Sequence, residues 1–252
     1  MKLRTFVTTY GVLLLSILLG IVLQAFAQAS TDDCPSAPPS TTNKEEAAMF
    51  GWAHLWRYCQ DDVRLGRPRS GGNRVVFFGD SITDAWKLDE FFPGKPYINR
   101  GISGETTSQM LLRFRQDVID LAPKAVVILA GTNDIAGNTG PISLKAIEGN
   151  FTSMIELAKA NGVHVVLASV LPAFDYPWRP GQQPVEKIAM LNSWLKSYAS
   201  AHGLVYLDYY SAMQDDRHGL PAKLSSDGVH PNKAGYAVMQ PLAEQAIDEA
   251  LH

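Results

Sequence analysis

Apolar positions along the chain fall into two patterns. Short runs at Arg74–Phe78, Tyr97–Arg100, Ala125–Ala130, His164–Ser169 and Leu204–Leu207 are dominated by apolar residues, most of them β-branched or aromatic. Such runs predict strands. Ala125–Ala130 is apolar throughout, as a strand buried on both faces requires. Longer segments carry apolar residues at intervals of three and four. Glu45–Leu65 places Met49, Trp52, Leu55, Trp56 and Cys59 this way, and Thr107–Leu121 places Met110, Leu111, Phe114 and Val118, with Pro123 beyond its end. Ser143–Asn161 closes on Asn161-Gly162, Val185–Ala201 closes on His202-Gly203, and Lys233–Leu251 is the last such segment. These spacings and stops predict helices. Strands alternating with helices of this length imply a parallel sheet between helical layers. The expected fold is α/β: a three-layer α/β/α sandwich around a flavodoxin-like, parallel five-stranded sheet.

Polar, glycine-bearing segments sit where the predicted strands end. Gly79-Asp80-Ser81 follows the first strand, Gly101-Ile102-Ser103-Gly104 the second, and Gly131-Thr132-Asn133-Asp134 the third. Asp227-Gly228-Val229-His230-Pro231 lies beyond the fifth. In a parallel sheet these ends share one edge, where open α/β sheets form their crevice. Ser81, His230 and Asp227 are the parts of an activated nucleophile. A serine hydroxyl needs a base to take its proton as it attacks. Imidazole suits that role near neutral pH, and a carboxylate three residues away can hold its tautomer. Each segment alone also has a bland reading. Gly-Asp-Ser can be a turn, Gly131–Asp134 a cluster capping a helix, and His230 a surface histidine. Taken together, in order and at strand ends, they point to a site. The G-x-S-x-G elbow is absent, as are a P-loop, an H-E-x-x-H pair and a dinucleotide fingerprint.

The four segments, in this order, resemble the four blocks of the SGNH hydrolases, also called the GDSL esterase/lipase family, over roughly residues 74–245. Ile82 stands where the family often has leucine. The resemblance implies a Ser-His-Asp esterase that works through an acyl-enzyme. Ser81 is then the nucleophile, His230 the base and Asp227 its orienter. The oxyanion donors are the N–H groups of Ser81 and Gly101 and the side-chain amide of Asn133. No metal and no cofactor is implied.

The ends of the chain add a compartment. Lys2 and Arg4, the apolar stretch Tyr10–Leu23 and the small residues of Ala25-Phe26-Ala27 predict a signal peptide over 1–27. The alternative is an uncleaved membrane anchor, since Phe6–Leu23 nearly reaches spanning length. Residues 28–43 read as a flexible lead-in and 44–252 as the hydrolase domain, opened by the helix at 45–65. Either way the domain is exported, periplasmic or secreted, and membrane contact is expected only if the first segment is uncleaved. Cys34 and Cys59 are the two cysteines. In an oxidising compartment they would pair, and the alternative is two free thiols. With 22 Lys and Arg against 25 Asp and Glu and no basic stripe, a nucleic-acid partner is not expected.

One further loop, Phe174–Pro184, follows the fourth strand on the same edge. It is aromatic, holds Pro177, Pro180 and Pro184, and sets Trp178 beside Arg179. It reads either as a wall contacting substrate through Trp178 and Arg179 or as packing over the sheet end. The expected substrate is a small-molecule or glycan ester, with a short acyl group such as O-acetyl on an exported carbohydrate. Alternatives on the same site are a lysophospholipase or thioesterase, an acyltransferase, or a catalytically dormant carbohydrate-binding protein.

Overall fold

The apolar runs do pair into one sheet. The computed structural model describes residues 34–37, 51–68 and 72–252. Its five strands are β1 (Val75–Gly79), β2 (Tyr97–Gly101), β3 (Ala125–Leu129), β4 (His164–Ala168) and β5 (Val205–Leu207). All pairings are parallel and the order is β2-β1-β3-β4-β5. This is the flavodoxin-like order, and the direction of winding reverses between β1 and β3.

Helices cover both faces. In chain order they are α1 (Trp56–Leu65), α2 (Ser81–Asp84), α3 (Leu88–Phe91), α4 (Thr107–Phe114), α5 (Thr132–Ile135), α6 (Leu144–Ala160), α7 (Pro184–His202), α8 (Tyr209–Met213) and α9 (Lys233–Leu251). Alternate residues of each strand feed opposite cores, because successive strand side chains point to opposite faces. Val76, Phe78, Val126, Ile128, Val165 and Leu167 pack against Met110, Phe114, Phe151 and Leu195 of α4, α6 and α7. Val75, Phe77, Val127, Leu129 and Val166 pack against Trp86, Phe92, Met239 and Ile247. Each such side chain, fully buried, contributes about 1.5–3 kcal/mol.

Two predicted helices differ in the structure. Helix α1 starts at Trp56, and residues 51–55 before it are turns rather than part of the predicted helix. His54 lies at φ +51°, with its ring Nδ1 2.9 Å from Glu105 Oε1, and a left-handed residue cannot continue a helix. Residues 45–50 of that segment lie outside the described residues, as do the predicted signal peptide and most of the lead-in. Thr107–Leu121 is α-helical only to Phe114 and continues as a π-helical turn over Arg115–Ile119. There Asp120 N–H reaches Arg115 C=O, while buried Arg113 and Asp117 pair at 2.8 Å across the change of winding. Neither Cys34 nor Cys59 is a free thiol. Among the described residues, no helix is long and apolar enough to cross a membrane.

Candidate active site

Ser81 is where β1 stops. Asp80 caps the short helix α2 through its Oδ1, which accepts from Ile82 N–H at 3.0 Å. Ser81 is thereby the first helical residue, at the C-terminal edge of the sheet. Its own N–H is one of the donors a helix start leaves unused. The hydroxyl Oγ lies 2.9 Å from His230 Nε2. His230 Nδ1 lies 2.6 Å from Asp227 Oδ2. The structure therefore brings the three sequence-predicted residues into one chain of hydrogen bonds, with Nδ1–H donating to the carboxylate and Nε2 accepting from the serine.

The Asp227–His230 loop is built locally. Asp227 Oδ1 accepts from Val229 N–H (2.9 Å), His230 N–H (2.8 Å) and Ser225 Oγ (3.0 Å). Ser225 Oγ in turn accepts from Gly228 N–H at 2.9 Å. Val229, between Asp227 and His230, is 2% exposed and anchors the loop in the core. Partial burial opposes ionisation of Asp227, but the hydrogen bonds from His230, Val229 and Ser225 outweigh it and hold the carboxyl well below the usual carboxylate range.

Asn133 stands on α5, after β3, and β3 is β1's neighbour across the winding reversal. Its Nδ2 donates to Glu105 C=O at 3.0 Å and lies 3.3 Å from Asp80 Oδ2. Its Oδ1 accepts from Asn138 Nδ2 at 2.7 Å. Asp80 is 1% exposed. Burial pushes its carboxyl up to about 7, against the opposing hydrogen bond from Ile82 and the nearby imidazole of His230. The next residue, Asp134, has a different job. Both of its oxygens accept from Thr107 N–H, at 3.1 and 2.9 Å, and Thr107 Oγ1 donates at 2.6 Å, which ties the start of α4 to α5.

Gly101 does not fit the donor role expected of it. Its N–H donates to Asn99 Oδ1 at 2.8 Å. A Cβ at this position would come within 2.1 Å of Asp84 N, so glycine is needed for α2 to lie against the end of β2. Asn99 completes that junction by donating to Thr83 C=O (2.6 Å) and Trp86 C=O (3.0 Å). Gly104, three residues on, is exposed and lies at φ +83°, and its N–H makes no hydrogen bond among the described residues. Its C=O accepts from Asn138 Nδ2 at 3.3 Å, which sets it beside Asn133. The sequence carries a signal for it, a second glycine in Gly101-Ile102-Ser103-Gly104, although spacing alone does not separate the two.

Trp178 is 39% exposed and lies at the site. Its ring is 5.8 Å from the His230 ring and stacks on Tyr176 at 5.1 Å, while Nε1 donates to Asn138 Oδ1 at 3.0 Å. Arg179 is exposed, and its backbone N–H closes a turn onto Tyr176 C=O at 2.9 Å. Ser103 is paired with Asp84, at 2.7 Å, rather than with any base. Among the described residues, no group of three or more His, Cys, Asp or Glu side chains is arranged to hold a metal ion.

Comparison with known proteins gives the family. The model of the GDSL-like lipase/acylhydrolase family matches residues 77–238, from within β1 into α9. A GDSL-like lipase from Bacteroides thetaiotaomicron, solved by crystallography, is 44% identical with a TM-score of 0.77, and the likeness covers 79% of this chain and 100% of that one. The uncharacterized lipoprotein YqeF of Bacillus subtilis is 30% identical over 132 residues, covering 45% of this chain and 54% of that protein, so the chain spans about half of this relative's length. An acetylxylan esterase from Geobacillus stearothermophilus is 23% identical over 201 residues, covering 67% of this chain and 90% of that one. The chain belongs to the GDSL-like lipase/acylhydrolase family, the class of carboxylic ester hydrolases that its four polar segments imply.

Proposed function

We propose that the chain is a serine esterase that removes short acyl groups, O-acetyl above all, from an exported carbohydrate. Ser81 Oγ attacks the ester carbonyl carbon as its proton passes to His230 Nε2. Asp227 keeps the His230 Nδ1 proton in place and stabilises the imidazolium. The carbonyl oxygen, now an anion, is met by the N–H of Ser81, the amide of Asn133 and the N–H of Gly104. Collapse breaks the ester C–O bond. The leaving alkoxide takes the proton from His230 and departs as the alcohol, and the acyl group stays on Ser81. Water then repeats the sequence and releases the acid.

The observation that carries this reading is the unbroken chain from Ser81 Oγ through His230 to Asp227, at 2.9 and 2.6 Å. The carbohydrate part rests on the exposed Trp178 beside the base, a flat apolar face that suits a sugar ring, and on the acetylxylan esterase relative. Export rests on the signal-like residues 1–27 and the lipoprotein relative. A Cys34–Cys59 pair fits the same compartment.

Ser81→Ala tests the mechanism. The variant keeps the wild-type melting curve and loses turnover of p-nitrophenyl acetate, and a fluorophosphonate labels Ser81 in the parent protein. Labelling elsewhere, or activity in the variant, refutes the assignment. Acetylated xylan beside long-chain p-nitrophenyl esters tests the substrate. Faster turnover of the long acyl chain would refute the carbohydrate reading.

A further inference from the structure

We propose that Asn138 is a positioning residue. It holds the Asn133 amide with its NH2 turned to Glu105 C=O and to Asp80, the residue before Ser81, and the Trp178 indole sets the polarity of that contact. The inference rests on Asn133 acting as oxyanion donor.

An asparagine amide has a donor end and an acceptor end of nearly equal size, so its usefulness as a donor depends on what prevents a flip. Three side chains connect the site wall to the floor. Trp178 Nε1–H donates to Asn138 Oδ1 at 3.0 Å, Asn138 Nδ2 donates to Asn133 Oδ1 at 2.7 Å, and Asn133 Nδ2 donates to Glu105 C=O at 3.0 Å. The two ends of this relay are unambiguous. An indole nitrogen only donates and a backbone carbonyl only accepts. The donor at one end forces the oxygen of Asn138 toward Trp178, which leaves its NH2 for Asn133. The acceptor at the other end requires the NH2 of Asn133. Both ends demand the same orientation of both amides. A flipped Asn133 would place its oxygen against the Glu105 carbonyl and the Asp80 carboxyl together.

Asn138 is itself fixed. Its backbone N–H returns to Asn133 C=O at 3.0 Å, and its Nδ2 reaches Gly104 C=O at 3.3 Å. It therefore joins the loops after β2 and β3, which carry the two proposed donors outside α2. Trp178 also lies beside His230, so one side chain touches the base directly and the donor through Asn138.

The test is a set of variants assayed on p-nitrophenyl acetate, with urea midpoints measured alongside. Asn138→Ala lowers kcat by about 3–10-fold with little change in KM, the size of one hydrogen bond. Asn138→Asp lowers it further, toward the loss of about 10²-fold expected of Asn133→Ala. The carboxylate still accepts from Trp178 but repels Asn133 Oδ1 and draws the NH2 away from Glu105 C=O. Trp178→Phe keeps a ring beside His230, removes the donor and lowers kcat about 2–3-fold by the same hydrogen-bond scale. Being a surface change, it also reads out the relay if the Asn138 variants fold poorly. In the Asn133→Ala background, Asn138→Ala adds no further loss, because it acts through Asn133. The proposal is overturned if the Asn138→Ala loss persists in that background, if Asn138→Asp is no worse than Asn138→Ala, or if only KM changes. An Asn133→Ala variant with normal kcat would refute the donor role itself, a separate result.

Discussion

Ser81 and Asn133 stand on the ends of two central strands, above a floor of buried charge, whereas Asp227 and His230 stand on a surface loop tied within Ser225–Pro231. The floor is organised by Arg113, which has no exposed surface. Its guanidinium pairs with Glu105 and Asp117, donates to Gly79 C=O at 3.1 Å and Arg100 C=O at 3.0 Å, and lies 4.2 Å from the centre of the Phe78 ring. It thus holds the ends of β1 and β2 together directly beneath the serine. The base side has no such floor. The side chains of His230 and Asp227 are 37% and 36% exposed, and apart from Ser81 and Trp178, which meet the His230 ring, their partners are three residues away or fewer. The side of the proposed nucleophile inherits its geometry from the whole fold, and the side of the proposed base makes its own. Damage to the first should appear as lost stability, and damage to the second as lost chemistry.

The largest expected effect is on the floor. Arg113→Leu leaves Glu105 and Asp117 buried without their cation, which costs about 3–5 kcal/mol. A urea melt should show the midpoint collapsing and activity disappearing with the fold. A stable but inactive variant would erase the contrast between the two sides.

Asp227→Asn should be the mirror image. The amide can still accept from the Val229 and His230 N–H groups, so the loop persists, but it no longer holds His230 in the required tautomer. The expected loss of kcat is about 10⁴-fold, the size such a change has in other triads, with only a small fall in the urea midpoint from loss of the ionised carboxylate. A midpoint that falls in step with activity would mean that the base loop is not held locally.

The smallest effect is a pH dependence of stability. Asp80, raised to about 7 in the folded state, has an ordinary value of 3.8. Between the two, the unfolded chain gives up a proton that the folded chain keeps. The Asp80 contribution to stability therefore declines as pH rises from about 4 to about 7 and stays lost above that. Urea melts at pH 5 and pH 8 should differ less in Asp80→Asn than in the parent. An equal difference in both would place the titrating group elsewhere.

The contrast also governs what was legible in the sequence. The strands were legible because their apolar runs are bounded by glycine and by charge. The pairing of Asp227 with His230 was legible because it is local, three residues apart on one loop. The floor was not. Arg113 and Asp117 are polar residues facing the core of a segment whose apolar spacing reads as an ordinary helix, so neither their burial nor the π-helical turn between Arg115 and Ile119 shows in the pattern. Helices α2, α3, α5 and α8 span only four or five residues each, too short for any periodicity. The family resemblance points to a glycine of this segment as a donor, but two glycines share it, and the Asp84 backbone and the Asn99 side chain, both seen only in the fold, mark Gly101 as the packing one. Asn138 carries no pattern at all, since its partners are Asn133 of α5, Gly104 of the loop after β2 and Trp178 of the loop after β4.

A bond at the far end of the site has a consequence for how the protein folds. Tyr236 Oη, on the first turns of α9, donates to Ile82 C=O at 2.8 Å, a contact spanning 154 positions, and the Ser81–His230 contact spans 149. Closing loops of that size costs conformational entropy before any contact rewards it, so such pairings form late. During refolding the sheet can assemble, from neighbours in sequence, while the Ser81 hydroxyl still lacks His230. Under the proposed mechanism, nucleophilic reactivity at Ser81 then reports on the final docking of α9. In a refolding time course it should recover no earlier than the tertiary signal, and later than the backbone circular dichroism.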